Sequence, residues 1–498
     1  MPTQPRLVEV VAAMSLATDI GLGQPMEHGL RSTLIATRVS EVLGCSDAQR
    51  TDTLWVALLA WVGCTGNSTE MAELFGDDIA FRAGMYDVGP AATAMPRYLF
   101  RTAERPARMV TSGMKTVMGA FVADCKNTAR FAERLRMTPD VSAALEAKFT
   151  RWDGKGIPRG QRGEELPLAT RILALSWRAE AAHRQGGTDA ATDVLDQHTG
   201  KTLDPSLVGT VRDHLPAILD SLEEDSWGAL LDAAPFGDHL SGDAYDAALE
   251  AMADFADLKS PSFAGRSRVV ADLVADAVGH LGLDTATGTL ARRAALVHSL
   301  GRTGVANDVW DKKGVLSIAE RERMQLYPYL TGRILRHGSL SELADTAAAC
   351  QERLDGSGYP RGLSGGALTP AMRLLAAANV YCALLEPRPH RAALDPNEAA
   401  EQLRHQAKDG LLDADVVEAV LTAAGHEPLR RRSAPSDLTA REVEVLRLVA
   451  RGHTSAQVAQ ELFVSTKTVG KHLEHIYEKT GATNRSVVTL YAMEHGIV

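Results

Sequence analysis

RWDGKGIPRGQRG, from Arg151 to Gly163, returns as RLDGSGYPRGLSG from Arg353 to Gly365, at an offset of 202 residues. Glycine supplies positive φ and proline blocks helix continuation, so both segments read as turn-rich loops. The match runs on into the next helix, where Arg171 pairs with Arg373 and Leu173 with Leu375. Upstream, VALLAWVGC (Val56 to Cys64) pairs with AALVHSLGR (Ala294 to Arg302) at an offset of 238, which also pairs Gly44 with Gly282. Constant offsets at collinear places mean a duplicated domain. The two offsets differ by 36 residues, so the first copy carries an insertion of about that size between Gly63 and Arg151, including Met71 to Arg108.

Apolar residues recur at spacings of three and four through Arg31 to Leu43, Val269 to Leu281 and Ala291 to Leu300, the mark of amphipathic helices. Period-two alternation is nearly absent, and the chain reads as all-α. The expected domains are two tandem copies, 1–225 and 226–428, a linker, 429–436, and a C-terminal domain, 437–498. The linker holds Arg430-Arg431-Arg432 and then Ser433-Ala434-Pro435-Ser436. Its arginines either touch nucleic-acid phosphates or are simply solvated.

A chain of 498 residues exceeds one hydrophobic core, and 45% hydrophobic with 23% charged residues is ordinary for a globular protein. A net charge of −10 confines any nucleic-acid contact to a local surface. No apolar run reaches the roughly 18–20 residues of a membrane span. Arg6 and Glu9 interrupt the apolar start, which reads as an amphipathic helix rather than a signal peptide. Cys45, Cys64, Cys125, Cys350 and Cys382 are odd in number and include no C-x-x-C pair, as for reduced thiols. A cytoplasmic protein is expected.

From Asp437 onward, helix caps follow closely on one another. Thr439 with Glu442 and Thr454 with Gln457 are capping boxes, and Ser465 is the natural cap of a third helix, Thr466 to about Lys479. In that helix Val469, Leu473, Ile476 and Tyr477 share an inward side, while Lys467, Thr468, Lys471, His472 and His475 point away. Two short helices joined tightly, the second showing its N-terminal half outward, suit a DNA major groove. Lysines there reach phosphates or guanine edges, and Thr468 reaches a thymine methyl. Seven basic and seven acidic residues balance over 437–498, so a helical protein-interaction domain stands as the alternative.

The T-x-R-E opening, the pair Val445/Leu448, the S-x-K-T-V recognition start and the closing Ala492 to Gly496 together resemble the LuxR-type helix-turn-helix family. The resemblance implies a four-helix domain binding double-stranded DNA as a homodimer on paired half-sites, with Lys467, Lys471 and His472 near the DNA.

DGSGYPRGLSG, with the helices around Arg266 and His298, resembles the HD-GYP family of all-helical phosphohydrolases that cleave cyclic dinucleotides. The resemblance implies two or three metals held on His and Asp ligands. At those positions the second copy carries Arg266, His298-Ser299, Tyr327, Cys350-Gln351 and Asn379. The first carries His28, Ala60-Trp61, Lys148-Phe149 and Trp177. One imidazole per copy cannot assemble a di-metal site, so no metal, no cofactor and no catalysis is expected. A zinc on His298 and Cys350 lacks a third ligand, and a satisfied buried histidine is the plainer role for His298.

A pocket can outlast its metals. Arg266, His298, Tyr327, Gln351 and Asn379 are candidates to hold an anionic effector such as a nucleotide, unless Arg266 is spent on an internal ion pair, for example with Glu352. Trp61 and Trp177 either fill the first copy's old site or line an apolar pocket. The function expected is a transcription regulator whose duplicated region senses a ligand or holds a dimer. A phosphodiesterase with atypical ligands and a scaffold for partner proteins are the alternatives.

Overall fold

The computed structural model describes residues 4–88, 113–222, 225–234, 239–425 and 438–498. The linker expected at 429–436 and the insertion beyond residue 88 lie outside the described residues. Within these, every regular element is a helix and β-pairing is confined to isolated bridges. The chain forms two compact units, Met1–Ser241 and Gly242–Val498.

In the first unit α1 (Leu7–Gly21) is apolar on nearly all sides and accordingly buried through almost its whole length. Next come α2 (His28–Val42) and α3 (Asp47–Leu59). Ser46 caps α3 by accepting the Gln49 N–H at 3.3 Å, and Gln49 returns the bond to the Ser46 N–H at 3.0 Å. The long helices α4 (Met114–Arg134) and α5 (Leu168–His198) follow. α5 breaks at Gly186 and Gly187, with φ of −152° and 72°, a pairing that the absence of Cβ permits.

The second unit repeats the plan in α6 (Gly242–Asp257), α7 (Arg266–Leu281), α8 (Thr285–Val297), α9 (Tyr327–Leu335) and α10 (Pro370–Leu385). The duplication is visible atom by atom. Asp19 accepts the Gly29 N–H at 3.1 Å, and Asp257, 238 residues on, accepts the Ser267 N–H at 2.6 Å. Thr128 Oγ1 accepts the Gly63 N–H at 3.1 Å, and Thr331 Oγ1 accepts the Gly301 N–H at 2.9 Å. In the repeated loops, a Cβ on Gly156 or Gly358 would lie 2.5 or 2.4 Å from the backbone nitrogen of Arg151 or Arg353, which is why glycine recurs there.

The same unit closes with α11 (Ala440–Ala450), α12 (Ser455–Glu461), α13 (Thr466–Thr480) and α14 (Arg485–Glu494) around a core that includes Val445, Leu446, Val458, Val469, Ile476 and Val488. Here α14 packs against α6.

Candidate functional site

The C-terminal helices are set by their caps. Thr439 Oγ1 accepts the Glu442 N–H at 3.3 Å, Thr454 Oγ1 the Gln457 N–H at 3.3 Å, and Ser465 Oγ the Thr468 N–H at 3.1 Å. On α13, Val469 and Ile476 are fully buried, and Leu473 and Tyr477 pack beside them. Lys467, Thr468, Lys471 and His475 are exposed and His472 half-exposed, so the five share one open surface. Lys479, later on the helix, instead ties α13 to α11 through Glu442 at 2.7 Å. Burial pushes the Glu442 carboxyl up, but hydrogen bonds from Lys479 and Thr439 outweigh it and hold the group at about 2.

In the second copy the candidate residues come together in a packed interior. The Arg266 guanidinium donates to Asn379 Oδ1 at 2.7 Å and to its carbonyl at 2.8 Å, and pairs with Glu386. Glu352 instead accepts the N–H groups of Arg361 and Leu363 in the DGSGYPRG loop, at 2.8 and 2.9 Å. Gln351 donates to the Tyr327 hydroxyl at 2.8 Å, which lies 3.5 Å from Cys350 Sγ. His298 is fully buried with Nδ1 2.6 Å from the Ala295 carbonyl. Burial and the nearby Arg302 and Arg266 cations hold it well below the usual imidazole range. Asp257, buried 3.7 Å from Arg302, is pushed up by burial to about 7.

The first copy is hollow. A cavity of about 1030 Å³ is lined by Trp61, Trp177, Phe121 and Phe149 and by Arg151, Arg178, His198 and Lys201. The tryptophan rings lie 4.3 Å apart between centroids, and Trp177 meets His28 edge-on at 4.0 Å. His28 is buried and bonded to Glu180. Lys148 Nζ lies 5.5 and 5.1 Å from the Trp61 and Phe149 ring centroids and donates to Thr128 Oγ1 at 2.9 Å.

The shared Gly–Thr bonds also locate what the sequence hid. Thr128 stands 203 residues before Thr331, which makes Asp124 the counterpart of Tyr327. Asp124 lines the cavity, 3.2 Å from Cys64 Sγ, and burial pushes its carboxyl up. Arg178, His198 and Lys201 belong to no motif, and the break in α5 is what brings its two halves around the cavity.

These donor sets do not fit a metal cluster. Among the described residues no group of three or more His, Cys, Asp or Glu side chains is placed to hold an ion. In the second copy the guanidinium of Arg266 already occupies the acceptors that face it.

Residues 31–207 and 250–416 match the HD domain family. The chain belongs to this family. Its two HD domains are followed by residues 436–492, which match the LuxR family of bacterial regulatory proteins. Over 426 residues, 81% of this chain and 92% of the relative, it is 30% identical to 3'3'-cGAMP-specific phosphodiesterase 3 of Vibrio cholerae. The transcriptional regulatory protein LiaR of Bacillus subtilis is 32% identical over 103 residues, 20% of this chain and 48% of LiaR. The crystal structure of a cyclic GMP-AMP specific phosphodiesterase of Vibrio cholerae shares the fold, with a TM-score of 0.60 and 24% identity over 85% of this chain and 99% of that one.

The HD relatives overturn one expectation, that the chain is not an enzyme. A protein 30% identical to it over 81% of this chain and 92% of its own length is a 3'3'-cGAMP-specific phosphodiesterase, which points to an enzymatic family. No helix among the described residues is long and apolar enough to cross a membrane.

Proposed function

We propose that the chain is a cytoplasmic transcription regulator that binds double-stranded DNA as a homodimer through α13, under the control of a small molecule received by its HD region. The observation that carries this reading is the conjunction, in one chain, of an open basic face on a LuxR-family domain and a cavity of about 1030 Å³ in an HD domain. Such a volume is at the upper end of the roughly 300–1,000 Å³ of small-molecule sites. The ligand acts by favouring one arrangement of the two readers over others, which requires different affinities for those arrangements. The packed residues Arg266, His298, Tyr327, Gln351 and Asn379 form the matching interior of the second copy, where a ligand would have to displace the Arg266–Glu386 pair.

Selection of duplexes from a random library by the full chain tests the reading. Enrichment of paired half-sites is expected, and recovery of unselected sequence alone defeats it. A second reading, hydrolysis of a cyclic dinucleotide, is favoured by the 30% identity to the cGAMP phosphodiesterase. Incubating the full chain with 3'3'-cGAMP and Mn²⁺ or Fe²⁺ decides it: a linear product supports hydrolysis, and intact cyclic dinucleotide rejects it.

A further inference from the structure

The cavity of the first HD domain is lined by two chemically different groups of side chains. Trp61, Trp177, Phe121 and Phe149, in contact with one another, form an aromatic wall. The Trp61 indole N–H is buried there without a hydrogen-bond partner, so the wall also offers one donor. The second group is Arg151, Arg178 and Lys201, close enough to His198 to act on it. Arg151 is neutralised by Asp153 at 2.6 Å. Arg178 donates only to the Ala174 carbonyl, at 2.8 Å, its Nε is buried and unpartnered, and no carboxylate pairs with it among the described residues. Lys201 donates to the Gln197 carbonyl at 3.3 Å and likewise has no described carboxylate partner.

A positive field that Asp153 offsets only at Arg151 follows. His198 is driven down to about 4 by burial and by the Arg178, Lys201 and Arg151 charges. Arg178 itself is lowered to about 10 by burial and by Arg151. Keeping the buried Arg178 charged without a described carboxylate beside it is costly, and a bound anion relieves that cost. Asp124, the one acidic residue lining the cavity among the described residues, lies at the Cys64 side, where Lys148 and Arg82 act on it.

We propose that this cavity binds an amphiphilic anion, its apolar or aromatic body against the Trp61–Trp177 wall and its carboxylate or phosphate on Arg178 and Lys201. The assignment rests on reading the HD region as the ligand-receiving part of the regulator. The aromatic wall suits an extended hydrocarbon or a ring, and the guanidinium takes either head group by charge-assisted hydrogen bonds.

The test is displacement of the fluorescent anionic amphiphile 8-anilinonaphthalene-1-sulfonate from the full chain by laurate, dodecyl phosphate, dodecanol and 3'3'-cGAMP. Laurate or dodecyl phosphate should displace it at least about tenfold more effectively than the uncharged dodecanol, as one charge-assisted hydrogen bond warrants. Whichever of the two competes better identifies the head group. Arg178→Gln should abolish that preference, and Lys201→Glu, at an exposed position, should do so without disturbing the packing. Equal competition by dodecanol, displacement by 3'3'-cGAMP alone, or indifference to both substitutions would overturn the assignment. DNA anisotropy measured with and without laurate separates the two readings. No ligand binding with intact DNA binding sinks only the amphiphile, whereas ligand binding with no change in DNA affinity sinks control by this cavity and leaves the assignment standing.

Discussion

Two buried carboxyls, Glu442 and Asp257, are shifted in opposite directions and so give opposite pH dependences. Glu442 is held at about 2 because the Lys479 and Thr439 hydrogen bonds outweigh its burial. A depressed carboxyl contributes stability that is complete above its unfolded value, about 4.3, and is lost as pH falls towards the folded one. Amide protection in α11, corrected for the intrinsic exchange rate at each pH, should therefore fall between about pH 4.3 and 2, and Glu442→Gln should remove that dependence while weakening the domain by about 1–2 kcal/mol. Asp257 is raised by burial to about 7, so the folded state binds a proton that the unfolded chain has released. Stability of the second unit then falls as pH climbs from about 4 to about 7. Urea titrations across that range should show the slope, and Asp257→Asn should flatten it; an unchanged slope would assign the effect elsewhere.

Among the elements, α13 and the glycine turns are where sequence acts most directly. Lys467 and Lys471 project from exposed positions on α13. Removing either should weaken binding to all duplexes alike and lower the salt slope of log K by about 0.9 for each phosphate it neutralises. An unchanged slope in salt-titrated anisotropy would remove that lysine from the interface. Gly301 carries a different constraint, since a Cβ there would sit 2.0 Å from the Tyr327 carbonyl oxygen. Gly301→Ala should cost about 1–3 kcal/mol in chemical unfolding, because α9 must move to admit it. The caps, the inward face of α13 and the repeated loops are legible in the sequence because each is a local signal: Ser465, Val469 and Gly358 declare themselves by spacing. The cavity is not. Arg178 and His198 meet around it through the Gly186–Gly187 break, and Asp124 loses its register behind the insertion, so no constant offset exposes it. Arg266 illustrates a third case, in which the residue is legible and its partner is not: Glu386, 120 residues away, takes the guanidinium while Glu352 caps a loop.

Across the whole molecule, duplication has given two HD domains with contrasting interiors, one closed by Arg266 and its acceptors and one open between tryptophans and cations. The reader they accompany has no charge surplus, with seven basic and seven acidic residues over 437–498 in a chain of net charge −10. Long-range attraction to DNA is therefore weak, and affinity has to come from interactions made at close range. One α13 offers two lysines, Lys467 and Lys471, and three further polar side chains, Thr468, His472 and His475, a smaller set than tight specific binding requires. Pairing two readers on one duplex doubles that set and converts the second docking into an intramolecular step. Half-sites about 10–10.5 base pairs apart, one helical turn, put both recognition helices on the same face of the DNA. Inserting about half a turn places them on opposite faces. The full chain should accordingly bind the in-phase pair at two chains per duplex and at least about tenfold more tightly than the out-of-phase pair, read by anisotropy and by sedimentation of the complex. Equal affinity for both spacings, with one chain per duplex, would mean that each reader acts alone and that the HD region does not hold a dimer.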